Sequence, residues 1–372
     1  MNKPMVSSKE RNYGIDLLRI VSMLMVVILH ILGQGGVLKA AKTMSAGYEV
    51  AWFLEILCYC AVNCYALFSG YVGVESRFKY SGIVCIWLQV VFYAVGIAAV
   101  AAFILPDVGT AAVVEGLTPV SKNLYWYFTA YFCVFLFIPA FNKMLGVMSN
   151  GQLKVLGITI FAVFCIMQIV VKREIFYTNK GYSALWLALL YILGGIMKKT
   201  ELFSKIRGWV SALLFLAVCF ITWIEKFVVD YININGLAEK TAQNRLIQYI
   251  SPTILLAAVF LVAAFSKMRI GKVTKKLISF FAPLSFGVYL IHVQKHVWIY
   301  ILKERFTAFA GLSPIMLVLA VLGTAVGIFL LCSMIELARD RLFKLLGIKK
   351  SLQKIESKFI GDIWGEKVKK TA

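Results

Sequence analysis

Ten apolar runs, most of them long enough to cross a lipid bilayer, divide this 372-residue chain and leave little between them. They cover residues 15–32, 48–72, 80–105, 124–141, 155–171, 182–197, 209–229, 247–265, 278–300 and 314–337. A crossing helix needs about 20 apolar residues. The pattern therefore predicts an all-α, polytopic membrane bundle of about ten transmembrane helices. Composition agrees: 61% of residues are hydrophobic and mean hydropathy is +0.83, against roughly 45–50% apolar residues in soluble domains. A net charge of +21 would suggest nucleic acid in a soluble chain. Here the cations lie between the runs, so they mark topology, and no nucleic-acid partner is expected.

Counting loop charges places Arg11, Arg77, Lys79, Lys143, Lys154, Lys198, Lys199, Lys267, Lys272 and the tail on one side. The other side receives scattered cations such as Lys39, Lys172, Arg173, Lys180 and Arg245. Cytoplasmic loops are the Lys- and Arg-rich ones, so both termini are predicted cytoplasmic, in a multi-pass protein of the plasma membrane. The first run is too long for a signal peptide, carries Arg19 and lacks a small-residue cleavage pattern. Residues 1–338 read as one membrane domain. Residues 339–372 read as a basic cytoplasmic tail, either solvated or an interfacial helix on anionic lipid. The eight cysteines lie inside apolar segments without metal-ligand spacing, and are read as small hydrophobes with no metal.

Ionisable groups inside these runs are costly, on the order of 3 kcal/mol or more each when facing lipid, and should line an internal cavity. Arg19 and His30 stand eleven positions apart in the first run. Eleven steps of ~100° and 1.5 Å bring them to nearly one helix face, roughly 16 Å apart in depth. Asp16 can neutralise Arg19 instead, and a lone His in a helix is often a packing residue. The second run carries Glu55 at a depth comparable to that of His30. A carboxylate on one imidazole nitrogen would fix the tautomer and raise the basicity of the other. That run ends in Phe68-Ser69-Gly70-Tyr71, followed by Arg77 and Lys79. A glycine permits close approach of backbone or ligand, and clustered cations suit phosphates, although the positive-inside bias also accounts for them. Leu124-Tyr125-Trp126-Tyr127-Phe128 fits an interfacial aromatic belt or a floor for a sugar. Ser285, Tyr289 and His292 follow four- and three-residue steps on one helical face.

Four of these pieces, in order, resemble the acyltransferase-3 family of integral membrane acyltransferases. They are Arg19 with ten intervening residues before His30, the segment 65–71, the segment 124–128, and Ser285-Phe286-Gly287-Val288-Tyr289-Leu290-Ile291-His292. The resemblance spans nearly the whole chain. It implies transfer of an acetyl group from acetyl-CoA to hydroxyls of envelope carbohydrate, with His30 and Arg19 in catalysis. The paired arginines that some members carry after the Ser-Gly-Tyr segment appear here as Arg77 and Lys79.

The expected mechanism puts the phosphates of acetyl-CoA near Arg77, Lys79 and Ser69, with the thioester reaching His30 and Glu55 orienting the ring. The acceptor would rest on Trp126, Tyr127, Tyr289 and His292. Imidazole can serve as base or as acyl carrier near neutral pH, and sequence does not choose between them. The rival reading is a transporter whose buried Arg, His and Glu form a substrate pathway. Matched helix breaks and internal repeats, which that reading expects, are not convincing in this chain.

Overall fold

The computed structural model describes residues 11–237 and 243–359. The body of every apolar run is helical, and no strand occurs among the described residues. The main helices are α1 (Tyr13–Leu32), α2 (Ala46–Tyr59), α3 (Ala61–Gly73), α4 (Tyr80–Ile104), α5 (Trp126–Val147), α6 (Asn150–Phe161), α7 (Ala184–Lys199), α8 (Gly208–Ile234), α9 (Pro252–Ser266), α10 (Lys272–Phe281), α11 (Ser285–His292), α12 (Pro314–Leu345) and α13 (Ile348–Phe359).

Seven spans are long and apolar enough to cross a membrane: Tyr13–Ala40, Ala46–Gly73, Tyr80–Ile104, Trp126–Val147, Asn150–Val171, Gly208–Ile234 and Pro314–Leu345. An eighth arises if Lys272–His292 and Lys295–Leu302, bent by 63°, count as one. The two remaining runs form α7, which at 16 residues is as long as its run, and α9, which at 15 residues is shorter because its run opens with residues that precede a serine cap. Ser183 accepts from the Trp186 N–H and Ser251 from the Ile254 N–H, satisfying N–H groups that the first turn leaves unpaired. The protein is a multi-pass membrane helix bundle.

Two helices meet almost backbone to backbone. A Cβ on Gly70 would stand 1.9 Å from the Tyr191 carbonyl oxygen, and one on Gly194 would stand 1.9 Å from that of Leu67. The glycine of the Ser69-Gly70-Tyr71 segment therefore admits the α7 backbone. Small residues at membrane helix crossings serve this purpose, since close van der Waals packing replaces the hydrophobic drive absent in lipid. Gly70→Val should destabilise the bundle by about 3 kcal/mol or more through overpacking. Loss of the monodisperse peak in fluorescence size-exclusion chromatography would report it, and a wild-type profile would contradict this account.

A buried polar knot ties three further helices together. Glu336 of α12 accepts hydrogen bonds from Gln89 Nε2 (3.0 Å) and Tyr93 Oη (2.7 Å) of α4 and pairs with Arg339. Its carboxylate lies over Gly287 of α11, where a Cβ would approach it to 2.4 Å. A charge at 0% exposure is tolerable only when paired and hydrogen-bonded in this way.

Helix α12 runs unbroken to Leu345, so the division drawn at residues 338 and 339 falls inside it. Beyond it, α13 lies across the start of α4, and its Glu356 accepts from the backbone N–H groups of Tyr80 (2.6 Å) and Ser81 (3.3 Å). Burial alone would raise this carboxyl. The Ser81 hydroxyl, those two amides and Lys79 outweigh burial and hold it below its ordinary range. The tail from residue 360 onward, and Lys3 and Lys9 of the N-terminal segment, lie outside the described residues. Of the cysteines, Cys133 is exposed and Cys85, which lines the space where α3 ends and α4 begins, is half-exposed; the other six are buried and all eight are free.

Candidate active site

Three adjoining cavities run from one end of the bundle to His30. The first, of about 630 Å³, opens where α3 ends and α4 begins, and its walls include Arg19, Ser69, Arg77, Lys79, Lys349 and Gln353. Ser69, Arg77 and Lys79, grouped in the sequence analysis, line this one mouth. Lys349 was not among them; the docking of α13 brings it there from the tail. The amphipathic mix of Leu, Phe and Ile with lysines in that tail was the available signal.

Arg19, Phe68, Ser69 and Tyr131 also line the second cavity, of about 230 Å³. Arg19 thus stands between the two. Its guanidinium lies 3.3 Å from Asp16 Oδ1 and 5.5 Å from the centre of the Phe68 ring. The other oxygen of Asp16 is taken by Arg11. One carboxylate shared by two guanidinium groups leaves a net positive charge, so Asp16 does not cancel Arg19. A cation in so apolar a wall attracts an anionic ligand or the negative end of a dipole.

Tyr65, Tyr127 and Phe286 line both the second cavity and a third of about 60 Å³. The third holds His30, Trp126, Tyr127, Tyr249 and Tyr289. Arg19 and His30, expected on one stripe, therefore occupy successive cavities separated by three aromatic rings. The Tyr289 hydroxyl is buried and has no hydrogen-bond partner among the described residues.

The partner of His30 is His292. His30 Nδ1 lies 2.9 Å from His292 Nε2, and His292 Nδ1 lies 2.6 Å from the Val288 carbonyl oxygen. A carbonyl can only accept, so His292 carries its proton on Nδ1 and offers the lone pair of Nε2. His30 in turn donates from Nδ1. Its Nε2 is left with a lone pair at the cavity wall, the tautomer required of a base or nucleophile. The bend after α11 completes the clamp by bringing Trp298 edge-on against His30, with ring centres 4.8 Å apart at 89°.

This geometry corrects two expectations. Glu55 is not the group on His30: it is buried, its Oε2 accepts no hydrogen bond from a described residue, and His292 fills the position assigned to it. Counting along a helix fixes depth and leaves azimuth to packing, and Glu55 lies on α2, before the break at Cys60. His292, expected to meet the acceptor, instead touches His30, and at 1% exposure it lines none of the three cavities. Trp126, Tyr127 and Tyr289 do come together with His30. Asn63 fixes the roof, donating to the Tyr249 carbonyl (2.7 Å) and accepting from Trp186 Nε1 (3.1 Å).

Among the described residues no group of three His, Cys, Asp or Glu side chains is placed to hold a metal ion. The family model described as an acyltransferase domain, acyltransferase-3, matches residues 12–335, a stretch that includes the first five helices and both histidines of the pair. No curated protein and no solved structure matches the chain.

Proposed function

The chain belongs to the acyltransferase-3 family and is a membrane acyltransferase; from that premise we propose that it carries acetyl from acetyl-CoA to a hydroxyl of an envelope carbohydrate. The observation that supports this most is the oriented His30–His292–Val288 chain, set at the inner end of a series of cavities that begins at a basic mouth.

Arg77, Lys79 and Lys349 surround a space of about 630 Å³, within the usual 300–1,000 Å³ of small-molecule sites. Their cations suit the phosphates of acetyl-CoA. We assign this mouth, with both termini, to the cytoplasm of a plasma-membrane protein, because Lys- and Arg-rich loops stay on that side. Arg19 draws the donor inward, and Tyr65, Tyr127 and Phe286 must part for the acyl end to reach His30. The last cavity, about 60 Å³, favours a short acyl group over a long chain.

His30 Nε2 takes the proton of the acceptor hydroxyl as that oxygen bonds to the thioester carbonyl carbon. The carbon–sulfur bond then breaks, and His30 returns the proton to the departing thiolate. His292 Nε2 accepts from His30 Nδ1 throughout, which steadies the imidazolium formed between the two transfers. In this scheme the buried, unpartnered Tyr289 hydroxyl donates to the carbonyl oxygen as negative charge develops there.

Purified full-length protein in nanodiscs, given acetyl-CoA and an envelope glycan fraction, should release CoA thiol and place labelled acetyl on carbohydrate. Lys349→Ala should raise the KM for acetyl-CoA several-fold and leave kcat within about twofold, since it removes binding that is uniform along the reaction. Absence of CoA release with every glycan fraction would overturn the proposal.

A further inference from the structure

At the end of the bundle opposite the basic mouth lies a polar cavity of about 170 Å³ that the transfer chemistry does not use. Its walls come from the end of the α6 span, the loop before α7 and the segment leading into α9. We propose that this cavity holds an anionic group of the acceptor glycan, a phosphate or a carboxylate, beside the sugar whose hydroxyl is acylated. The inference rests on the acyltransferase reading of His30 and names the class of acceptor.

Charge is the first support. Lys172, Arg173, Lys180 and Arg245 converge on the cavity, and no ion pair joins their side chains to a described residue. Among the described residues in its walls the one carboxylate is Glu174, which is already engaged by the Thr178 hydroxyl (2.8 Å) and the Lys180 backbone N–H (3.0 Å). Glu225, which accepts from the Arg245 backbone N–H (2.8 Å), lies behind one of these cations; Lys172, Arg173 and Lys180 still outnumber Glu174 around a small space and call for an anion.

The amides are the second. Gln168, at 7% exposure, and Asn244 line the same space, and their side-chain oxygens are buried without a donor among the described residues. The Gln168 amide nitrogen is committed to the Phe164 carbonyl (3.0 Å), which leaves its oxygen as the unsatisfied end of the amide. A π-helical turn at Ala162–Ile166 sets this register, and such turns often re-aim side chains at functional sites. Amide oxygens do not attract a bare anion. They accept from hydroxyls, so cations and amides together suit a hydroxylated anion such as a sugar phosphate or a uronate.

Position is the third. Gln248 and Ile250 line this cavity, whereas Tyr249, between them, lines the cavity of His30. Neighbouring Cα atoms are about 3.8 Å apart, so the two spaces lie on opposite sides of one backbone segment. The rings of Tyr182, Trp126 and Tyr249 cluster at that divide, with Tyr182 centred 4.6 Å from Trp126 and 4.9 Å from Tyr249. A sugar next to the anchored charge would rest on these faces.

The test uses full-length protein in phosphatidylcholine nanodiscs, titrated by calorimetry with glucose 6-phosphate, glucuronate, glucose and inorganic phosphate. At least one charged sugar should bind tenfold or more tightly than both glucose and inorganic phosphate, and which of the two it is identifies the anion. The double variant Arg173→Gln, Lys180→Asn changes exposed side chains. It should weaken that binding tenfold or more while leaving acetyl-CoA affinity unchanged. Equal affinity for charged and neutral sugars, inorganic phosphate binding as tightly as the sugar phosphate, or an unaffected double variant would overturn the inference. Charged-sugar binding that persists in a protein releasing no CoA would instead retire the transferase reading of His30.

Discussion

Replacing His30 with Ala should lower acetyl transfer by about 10³-fold or more, at the upper part of the range for a positioned acid–base group. The imidazole is the one side chain, among the described residues lining the innermost cavity, that offers a basic lone pair. Its Nε2 lone pair is fixed by the Nδ1 contact to His292, so no neighbouring group inherits the role. Acetyl-CoA affinity should change little, because the basic mouth is separated from His30 by an intervening cavity. CoA-release kinetics, normalised to protein recovered in the monodisperse peak, checks both statements. A variant retaining more than a tenth of wild-type turnover would remove His30 from the reaction.

The next largest effect is expected at His292, through positioning. His292→Phe keeps the bulk of a ring and deletes the acceptor, which leaves the His30 Nδ1–H without its partner. An unsatisfied buried donor costs about 1–3 kcal/mol, and the cheaper outcome is transfer of that proton to Nε2, which closes the lone pair needed for chemistry. Turnover should fall about 100-fold, within the range for loss of general base assistance. His292→Gln restores an acceptor and should recover at least tenfold of the loss, while the KM for acetyl-CoA stays constant in both. A purely structural role predicts otherwise: reduced folded yield, unchanged turnover per folded molecule and no rescue by Gln. The NMR shifts of a His30 ring labelled with ¹⁵N should show the Nδ1–H tautomer in wild type and its loss in His292→Phe.

Much of the bundle is legible in the sequence. Hydropathy places the apolar helices because lipid offers no partner for a backbone amide, so a long apolar segment must satisfy itself. The serine cap before α9 shows why the run 247–265 makes a shorter helix than its length suggests. Arg19 and His30 stood out because ionised or polar groups are too costly in lipid to be incidental, and the aromatic segment 124–128 does supply rings to the cavity of His30. The Glu55 expectation failed for a specific reason. Its depth matched that of His30, but rotation about the helix axis belongs to packing. Gly70 was read as admitting either backbone or ligand, and only the approach of Tyr191 decides between them.

By itself the chain determined its helices, their apolar faces and the presence of charge where lipid forbids it, since each depends on residues within a few turns of one another. Tertiary structure alone decided which imidazole meets which, across 262 positions. It also decided that the tail delivers Lys349 to the mouth, and that Gln248 and Tyr249 serve two different cavities. Those relations depend on how helices rotate and stack against one another. Rise and period along a single helix contain no information about that.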